Sequence, residues 1–410
     1  MDRRIRLWMM ICFCQVMVIA AVTDSNDLAV LNTLKSRWQN LPPNWKGSDP
    51  CGSNWEGIKC TNSRVTTLDL SYNKGIKAVL PPSIQNLKSL TTLLLVGCSF
   101  MGPIPDSMGS LNQLVFLGLN NNSFTGPIPP SIGNLNNLSW LDLSDNQLSG
   151  PIPVSNPTAP GLDNLVTTKH FHLSDNQLSG SIRSQLFNSN MSLIHFIVNN
   201  NQLSGPIPAS IGSVQTLEVI RLDSNWLTGD VPQKLTELKS VSELHLSNNN
   251  LTGPIPDLSG MNSLSYVDMT SNSFEYSDIP AWFTLPSLTT ILMGMTQLQG
   301  EIPSGVFQAQ LERLVLSSNR LNGTLDVGNS YSSDLIVDLS DNFITNFTQS
   351  SGYNFSLNLD NNPICEVGET ARYCAGGKPD TPKGLPTNSC PLARCGSNKV
   401  LSPKCKCTKP

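Results

Sequence analysis

The chain has 410 residues and a formal net charge of −4 at neutral pH, and 39% of its residues are hydrophobic. So small a charge gives no reason to expect a nucleic-acid partner, and the composition is that of a soluble globular protein. After the first two dozen residues, no stretch approaches the roughly 18 consecutive apolar residues that a bilayer-spanning helix needs.

The amino terminus predicts a secretory signal peptide over residues 1–23. A basic start precedes an apolar run from Leu7 to about Val22, with small residues at Ala20 and Ala21 for cleavage. We therefore expect export to a compartment where disulfides persist. Asn-x-Ser/Thr sequons predict glycosylation at Asn121, Asn137, Asn190, Asn250, Asn322, Asn346 and Asn354.

Residues 24–64 are predicted to form an amino-terminal cap. The stretch "DLAVLNTLKSRW" places Leu28, Leu31 and Leu34 at helical spacing. Cys51 and Cys60 follow it closely, and we expect them to form a disulfide. Such a cap would cover the apolar end of the stack of repeats that comes next.

Residues 65–364 are an internal repeat. Stretches such as "LSWLDLSDNQLSGPIP" and "VSELHLSNNNLTGPIPDL" share the pattern L-x-x-L-x-L-x-x-N-x-L-x-G-x-I-P, which recurs about every 24 residues through about 13 turns. The position written N in this pattern holds Asn in nearly every turn, and Cys98 and Thr296 are the exceptions. We call this position the ladder position.

The spacing of the repeat predicts its fold. In x-L-x-L-x the leucines of a short strand point inward and the x residues outward. One turn cannot bury its leucines alone, so turns stack and their strands pair in parallel. The buried Asn can bond backbone groups that the following bend leaves unpaired. We predict a right-handed leucine-rich-repeat solenoid with a continuous parallel β-sheet on its concave side.

The outward x residues form columns on the concave face, and these are the candidate ligand-binding residues. Counting back six or four residues from each ladder position selects Phe116, Trp140, His170, His172, His195, Arg221 and Tyr266. A ligand groove and a solvated polar surface without a ligand are both open. The histidines also raise the question of a metal, but because no Cys or suitably placed carboxylate completes a site, we predict no metal and no cofactor.

One turn carries an insertion. The interval from Asn146 to Asn176 is 30 residues, about six more than usual, and contains "VSNPTAPGLDN". An insertion must loop out of the stack. It is either a flap beside the histidine strand or a tolerated loop.

Residues 365–410 are predicted to form a carboxy-terminal cap followed by a basic tail. Cys365 and Cys374 are placed to form a second structural disulfide. Four further cysteines lie among basic residues: Cys390, Cys395, Cys405 and Cys407. Nearby cations stabilise a thiolate, the form that reacts with peroxide, whereas export favours stable bridges. From the residues alone, both readings stay open.

The LxGxIP repeat with a paired-cysteine cap resembles the ectodomain of plant leucine-rich-repeat receptor-like Ser/Thr kinases over about residues 24–375. The stretches "NSFEYSDIPAWFTLPSLTTILM", "LNGTLDVGNSYSSDLIVDLSDNFIT" and "NNPIC" resemble subfamily VIII, which includes a hydrogen-peroxide and quinone sensing receptor. In that receptor a C-x2-C pair and a C-x-C pair follow the repeats. Cys405 and Cys407 match the second pair, while Cys390 and Cys395 depart from the first as C-x4-C.

The resemblance implies an extracellular recognition module with an unknown ligand or apoplastic oxidant, a possible leucine-rich-repeat co-receptor kinase, and a role in signalling or defence. No glycine-rich loop or His-Arg-Asp motif is present, so we expect no enzymatic activity. The chain is expected to be a truncated receptor, in the apoplast or at the outer face of the plasma membrane, with membrane attachment only through a segment that it lacks. The alternative is a free secreted binder, such as an inhibitor of microbial wall-degrading enzymes or a defence-related receptor-like protein.

Overall fold

A computed structural model describes residues 22–308, 310–348, 355–366 and 373–374, together with the backbone of 400–401 and 407–408. One α-helix, α1, runs over Ser25–Arg37. The strands, in chain order, are β1 (Ile58–Thr61), β2 (Arg64–Asp69), β3 (Lys77–Ala78), β4 (Thr92–Leu94), β5 (Ser99–Pro103), β6 (Phe116–Gly118), β7 (Ser123–Gly126), β8 (Trp140–Asp142), β9 (Gln147–Gly150), β10 (His170–His172), β11 (Gln177–Ser181), β12 (His195–Ile197), β13 (Gln202–Pro206), β14 (Val219–Arg221), β15 (Trp226–Gly229), β16 (Glu243–His245), β17 (Asn250–Leu251), β18 (Tyr266–Asp268), β19 (Ser277–Asp278), β20 (Thr290–Leu292), β21 (Leu298–Gly300), β22 (Arg313–Val315), β23 (Arg320–Leu325), β24 (Ile336–Asp338), β25 (Phe343–Phe347), β26 (Ser356–Asn358), β27 (Val400–Leu401) and β28 (Cys407–Thr408).

A single long sheet runs the length of the repeats, as the sequence predicts. Within the described part of the chain it contains fourteen strands, from β1 and β2 through the even-numbered strands to β26. The strands β1 and β2 pair antiparallel, and from β2 onward neighbours pair in parallel, for example β2 with β4 and β24 with β26. The sheet is therefore that of a leucine-rich-repeat solenoid.

Each three-residue strand of the long sheet buries its middle residue. Leu141 in β8, Phe171 in β10 and Phe196 in β12 are fully buried, while the residues on either side are partly exposed. This is the period-two alternation expected of a strand with one face on the core. The outward columns therefore lie on one continuous surface.

The opposite wall of the core is made of short strands and 3-10 helices. The strands β3 to β17 of odd number form an eight-stranded sheet, and β19, β21, β23 and β25 form a four-stranded one. The 3-10 helices are Pro82–Asn86, Asp106–Ser110, Pro130–Asn134, Leu162–Asn164, Ser184–Leu186, Ala209–Ser213, Gln233–Glu237, Ala281–Thr284, Ser304–Val306 and Pro363–Glu366. An Ile-Pro pair precedes five of these ten helices and gives the extended entry that a residue preceding proline favours.

The ladder position forms the bonds that the sequence predicts. Asn201 donates from Nδ2 to the carbonyl oxygens of Leu173, Val198 and Asn199 at 3.0 to 3.1 Å. Its Oδ1 accepts from the backbone N–H of Leu178 at 2.9 Å. Each ladder Asn of this kind ties its own turn to the preceding one.

The two exceptional ladder residues keep part of this role. The Cys98 thiol donates to the carbonyl of Leu70 with sulfur and oxygen 3.1 Å apart, and Thr296 donates from Oγ1 to the carbonyl of Met293 at 2.6 Å. Burial raises the pKa of the Cys98 thiol to about 11. Cys98 is thus a structural thiol, and it is the free cysteine among those whose side chains the structure describes.

The amino-terminal cap contains α1, as predicted, but its buried face differs in one residue. Val30, Leu31 and Leu34 are buried whereas Leu28 is only partly so. Asp27, and not Leu28, lies on the buried face, because its carboxylate accepts hydrogen bonds from Arg64.

The carboxylate of Asp27 holds the helix to the first strands. It receives two hydrogen bonds of 2.9 Å from the guanidinium of Arg64 and one of 2.8 Å from the backbone N–H of Val65. The Asp27 side chain is fully buried, and that of Arg64 is 33% exposed. The charge pair therefore fixes where the helix sits against the end of the sheet.

Both predicted structural disulfides are present. Cys51 is bonded to Cys60, and Cys365 to Cys374. At the amino-terminal end, Trp45 and Trp55 stack with ring centroids 4.9 Å apart. In the described residues, no helix has the length and apolar character needed to span a membrane.

The insertion packs on the side of the 3-10 helices. Gly161 lies so close to Gly133, in the preceding 3-10 helix, that a Cβ on Gly133 would overlap its backbone. Asp163 accepts hydrogen bonds from the backbone N–H and the hydroxyl of Ser155 and so closes the loop. These contacts favour the tolerated loop over a flap beside the histidines.

Candidate functional site

Six of the seven consecutive strands from β6 to β18 in the long sheet carry the candidate ligand-binding residues. The register pairs Phe116 with Trp140, Trp140 with His170, and His170 with His195. Arg221 follows on β14 and Tyr266 on β18. Phe116 is 44% exposed, and the other six residues are partly buried on the same surface. The structure thus brings all seven onto one face.

Three histidines converge within this face, and we call them the histidine cluster: His170, His172 and His195. The Nδ1 atom of His195 lies 3.1 Å from Nδ1 of His170 and 3.2 Å from Nε2 of His172. One such nitrogen from each ring lies within 4.8 Å of the other two. The cluster arises because His170 and His172 are two residues apart on one strand and His195 is opposite His170 on the next.

Trp140 and Asp142 border the histidine cluster on strand β8. The Trp140 ring packs against His170, with centroids 4.2 Å apart, and meets His172 edge-on at 4.9 Å. Asp142 Oδ2 lies 3.9 Å from Nδ1 of His172, while its Oδ1 accepts from the backbone N–H and the hydroxyl of Ser144. The carboxylate is therefore held facing the far side of the His172 ring.

Burial governs protonation in the cluster. Burial, with a smaller contribution from the neighbouring His195, lowers the pKa of His170 to about 4 and that of His172 to about 3. Burial likewise lowers the pKa of His195 and raises that of Asp142 to about 6. The three imidazoles are neutral at physiological pH, so each ring offers one nitrogen lone pair and one N–H donor.

A second polar cluster lies farther along the same face. Glu243 Oε2 accepts from Nη2 of Arg221 at 2.9 Å and lies 3.3 Å from Nε2 of His245. The His245 ring stacks on Tyr266 with centroids 4.4 Å apart. The Arg221 Nε atom is buried and has no hydrogen-bond partner among the described residues. The second cluster is thus built around the Arg221–Glu243 ion pair.

Charge and burial oppose each other at Glu243. Burial by itself would raise its pKa, but the hydrogen bond to His245 and the charge of Arg221 outweigh it and lower the pKa to about 2. Burial raises the pKa of Tyr266, which keeps its phenol neutral. The second cluster thus presents an ion pair beside an aromatic ring, and Arg and Tyr are among the residues enriched at interface hot spots.

Sequence reasoning missed Asp142 as a partner of the histidines. Asp142 stands four residues before Asn146, in the same column as His172, and its carboxylate lies behind that ring and not among the three converging nitrogens. The count of four applied one turn earlier would have found it. His245 and Glu243 lie on the same columns, and their pairing depends on side-chain directions that the columns do not specify.

The remaining sequence-predicted residues are distributed as follows. Cys390, Cys395 and Cys405 lie outside the described residues, and for Cys407 only the backbone is described, in β28, opposite Leu401 of β27. The proposed signal peptide lies outside them up to residue 21, as does Asn354. The other sequon asparagines are all exposed: Asn121, Asn137, Asn190, Asn250, Asn322 and Asn346.

Comparison with known families supports the fold in five segments of the chain. Residues 24–61 match the family described as Leucine rich repeat N-terminal domain. Residues 89–111, 113–135, 137–157 and 240–261 match the family described as Leucine Rich Repeat.

A probable leucine-rich repeat receptor-like protein kinase of Arabidopsis thaliana is 43% identical over 444 aligned positions, which include all of this chain and 47% of the relative. Protein STRUBBELIG-RECEPTOR FAMILY 5 of Arabidopsis thaliana is 36% identical over 25% of this chain and 15% of its own length. The chain thus spans about half the length of the first of these relatives.

Solved structures of plant receptor ectodomains share the fold. The ectodomain of the Arabidopsis thaliana receptor kinase GASSHO1/SCHENGEN3, in complex with CASPARIAN STRIP INTEGRITY FACTOR 2, superposes with a TM-score of 0.70 at 28% identity, covering 82% of this chain and 44% of that one. The Arabidopsis receptor kinase HAESA, in complex with the peptide hormone IDA and the co-receptor SERK1, superposes with a TM-score of 0.59 at 26% identity, covering 82% and 66%.

Proposed function

We propose that this leucine-rich-repeat chain, whose fold plant receptor-kinase ectodomains share, is the extracellular ligand-recognition module of such a receptor. In this role it binds and does no chemistry of its own. The observation that carries the proposal is the outward face of the long sheet, where Trp140, the histidine cluster and Arg221 lie side by side. Exposed aromatic and Arg side chains are the usual anchors of an interface.

We propose a peptide as the ligand and a leucine-rich-repeat kinase ectodomain as the co-receptor. The support is the HAESA ectodomain, which was solved with a peptide hormone and a co-receptor. A strand face of this kind suits an extended peptide, because its residues can contact successive columns.

The test is differential capture of peptides. The immobilised chain is exposed to peptides from plant cell-wall fluid, and bound species are identified by mass spectrometry. A synthetic copy of a captured peptide is then titrated by calorimetry against the wild type and against a double variant, Trp140→Ala with His195→Ala. Two interface anchors are expected to be worth at least about 2 kcal/mol together, or about 30-fold in affinity.

Trp226→Ala is the matched control, because this Trp is 57% exposed but lies on β15, in the opposite wall of the solenoid. It should bind the peptide as the wild type does. Equal binding by the double variant and the wild type would rule out this face. A co-receptor ectodomain that binds only with the peptide present would favour the receptor over a free secreted binder.

A finer version of this function adds oxidant sensing by the four tail cysteines, and it rests on the sequence alone. Cys405 and Cys407 are the favoured pair, because Lys404 and Lys406 flank them and cations stabilise thiolates. Alkylation of the protein taken directly from the apoplast, followed by mass spectrometry, should find free thiols there that brief peroxide treatment removes. If all four cysteines are already bridged, the tail is a structural clamp.

A further inference from the structure

The ring nitrogens of the histidine cluster meet in a way that hydrogen bonds alone satisfy poorly. Nδ1 of His195 is 3.1 Å from one ring nitrogen and 3.2 Å from another. An imidazole nitrogen carries either one hydrogen or one lone pair, directed in the plane of the ring. It can therefore make one good hydrogen bond, and the second close contact at His195 is left without one. A cation between the rings would accept a lone pair from each.

Two of the three separations fit such a cation, and the third, between the ring nitrogens of His170 and His172, lies within 4.8 Å. With Zn–N bonds of about 2.0 to 2.1 Å in a tetrahedral site, neighbouring nitrogens lie about 3.3 Å apart. The two contacts at His195 are within about 0.2 Å of that value. Three histidine ligands plus one open position is a well-known arrangement for zinc, and imidazole also suits copper and nickel.

The surroundings orient the rings. His172 directs Nε2 into the cluster, and its Nδ1 lies 3.9 Å from the carboxylate of Asp142. A carboxylate behind the second nitrogen of a histidine is the usual outer partner of a metal ligand. Trp140 packs against both His170 and His172, and the sheet register places His170 opposite His195. The three imidazole rings are therefore already oriented before a metal ion binds.

We propose that His170, His172 and His195 bind one divalent transition-metal ion, for which Zn²⁺ is the probe, through Nδ1, Nε2 and Nδ1 respectively. All three side chains are partly exposed on the outward face, so the fourth coordination position is open to water or to a ligand's donor atom. Asp142 acts as a positioning residue through His172. The site is additional to the recognition function and does not depend on it.

The experiment uses the full chain, freed of any affinity tag, with no peptide added. After treatment with a chelator and its removal, Zn²⁺ is titrated by calorimetry, and Co²⁺ is titrated in parallel because its visible absorption reports coordination geometry. We expect a saturable site for one ion and the intense bands of a tetrahedral cobalt complex. Folding of every variant is checked by its melting temperature without metal.

The variants separate the cluster from other metal-binding groups. His195→Ala removes the shared ligand and should abolish this site, even if thiolates elsewhere in the chain still bind Zn²⁺. His172→Gln provides a second, shape-conserving loss. Asp142→Asn should weaken binding by about 10- to 100-fold. His245→Ala is the matched control, since this histidine lies on the same face but outside the cluster, and it should bind Zn²⁺ as the wild type does.

Two outcomes would overturn the proposal. One is a wild-type chain whose Zn²⁺ binding equals that of His195→Ala, which would make the cluster a polar surface with strained contacts. The other is equal loss from His195→Ala and His245→Ala. Because these titrations contain no peptide, they stand or fall separately from the proposed function.

Discussion

Replacing Asn201 with Leu tests whether the ladder holds the turns together. The two side chains are similar in size, but Leu can neither donate to the carbonyls of Leu173, Val198 and Asn199 nor accept from the N–H of Leu178. Asn201 is 7% exposed, so water cannot readily replace these bonds.

The magnitude follows from which groups are left unpaired. The buried N–H of Leu178 loses its acceptor, at a cost of about 1 to 3 kcal/mol. The carbonyl oxygens have two lone pairs each and lose one donor, which adds a smaller amount. The added apolar surface offsets part of the total. We expect a loss of about 3 kcal/mol in the free energy of unfolding, which for a chain of this length lowers the melting temperature by about 4 °C.

Two measurements check this prediction. Thermal unfolding should show the lower melting temperature, and hydrogen exchange followed by mass spectrometry should show faster exchange in the peptide that contains Leu178. Asn262→Leu is the matched control, because Asn262 is exposed in a turn, and it should change neither. A variant at Asn201 with unchanged melting and a protected Leu178 amide would refute the account of the ladder.

Two further predictions concern charged groups. Asp27→Ala should destabilise the cap by about 3 kcal/mol, because it leaves the Arg64 guanidinium and a buried N–H without their acceptor, whereas Glu237→Ala, which breaks the exposed pair with Lys234, should cost less than about 1 kcal/mol. Equal melting temperatures would refute this difference. Glu243 has a folded pKa of about 2 against an ordinary value of 4.5, so its contribution to stability is fully present above about pH 4.5 and is lost as the pH falls toward 2. Glu243→Gln should therefore lower the melting temperature at pH 7 more than at pH 3, and the same decrease at both would contradict the assigned pKa.

The solenoid fold could be predicted from the sequence alone, because the spacing of residues within the repeat determines the geometry of each turn. Period-two leucines specify strands with one buried face, a constant spacing specifies that the strands align, and a buried Asn at one position specifies the bond between turns. For the same reason the columns of outward residues could be read by counting, which placed Trp140, His170 and His195 on adjacent strands.

Only the tertiary structure decided how the side chains on that face meet. Counting residues gives the position of each Cα along a strand but does not determine the side-chain rotamers. The convergence of the three histidine ring nitrogens could therefore not be predicted from the sequence. Counting places Asp142 in the column of His172 but does not show that its carboxylate faces that ring, which it does because Ser144 holds its other oxygen. At the amino-terminal end, helical spacing predicted that Leu28 is buried, but Asp27 is buried instead. Asp27 pairs with Arg64, which lies 37 residues away in the sequence. Local periodicity cannot predict a contact over that separation.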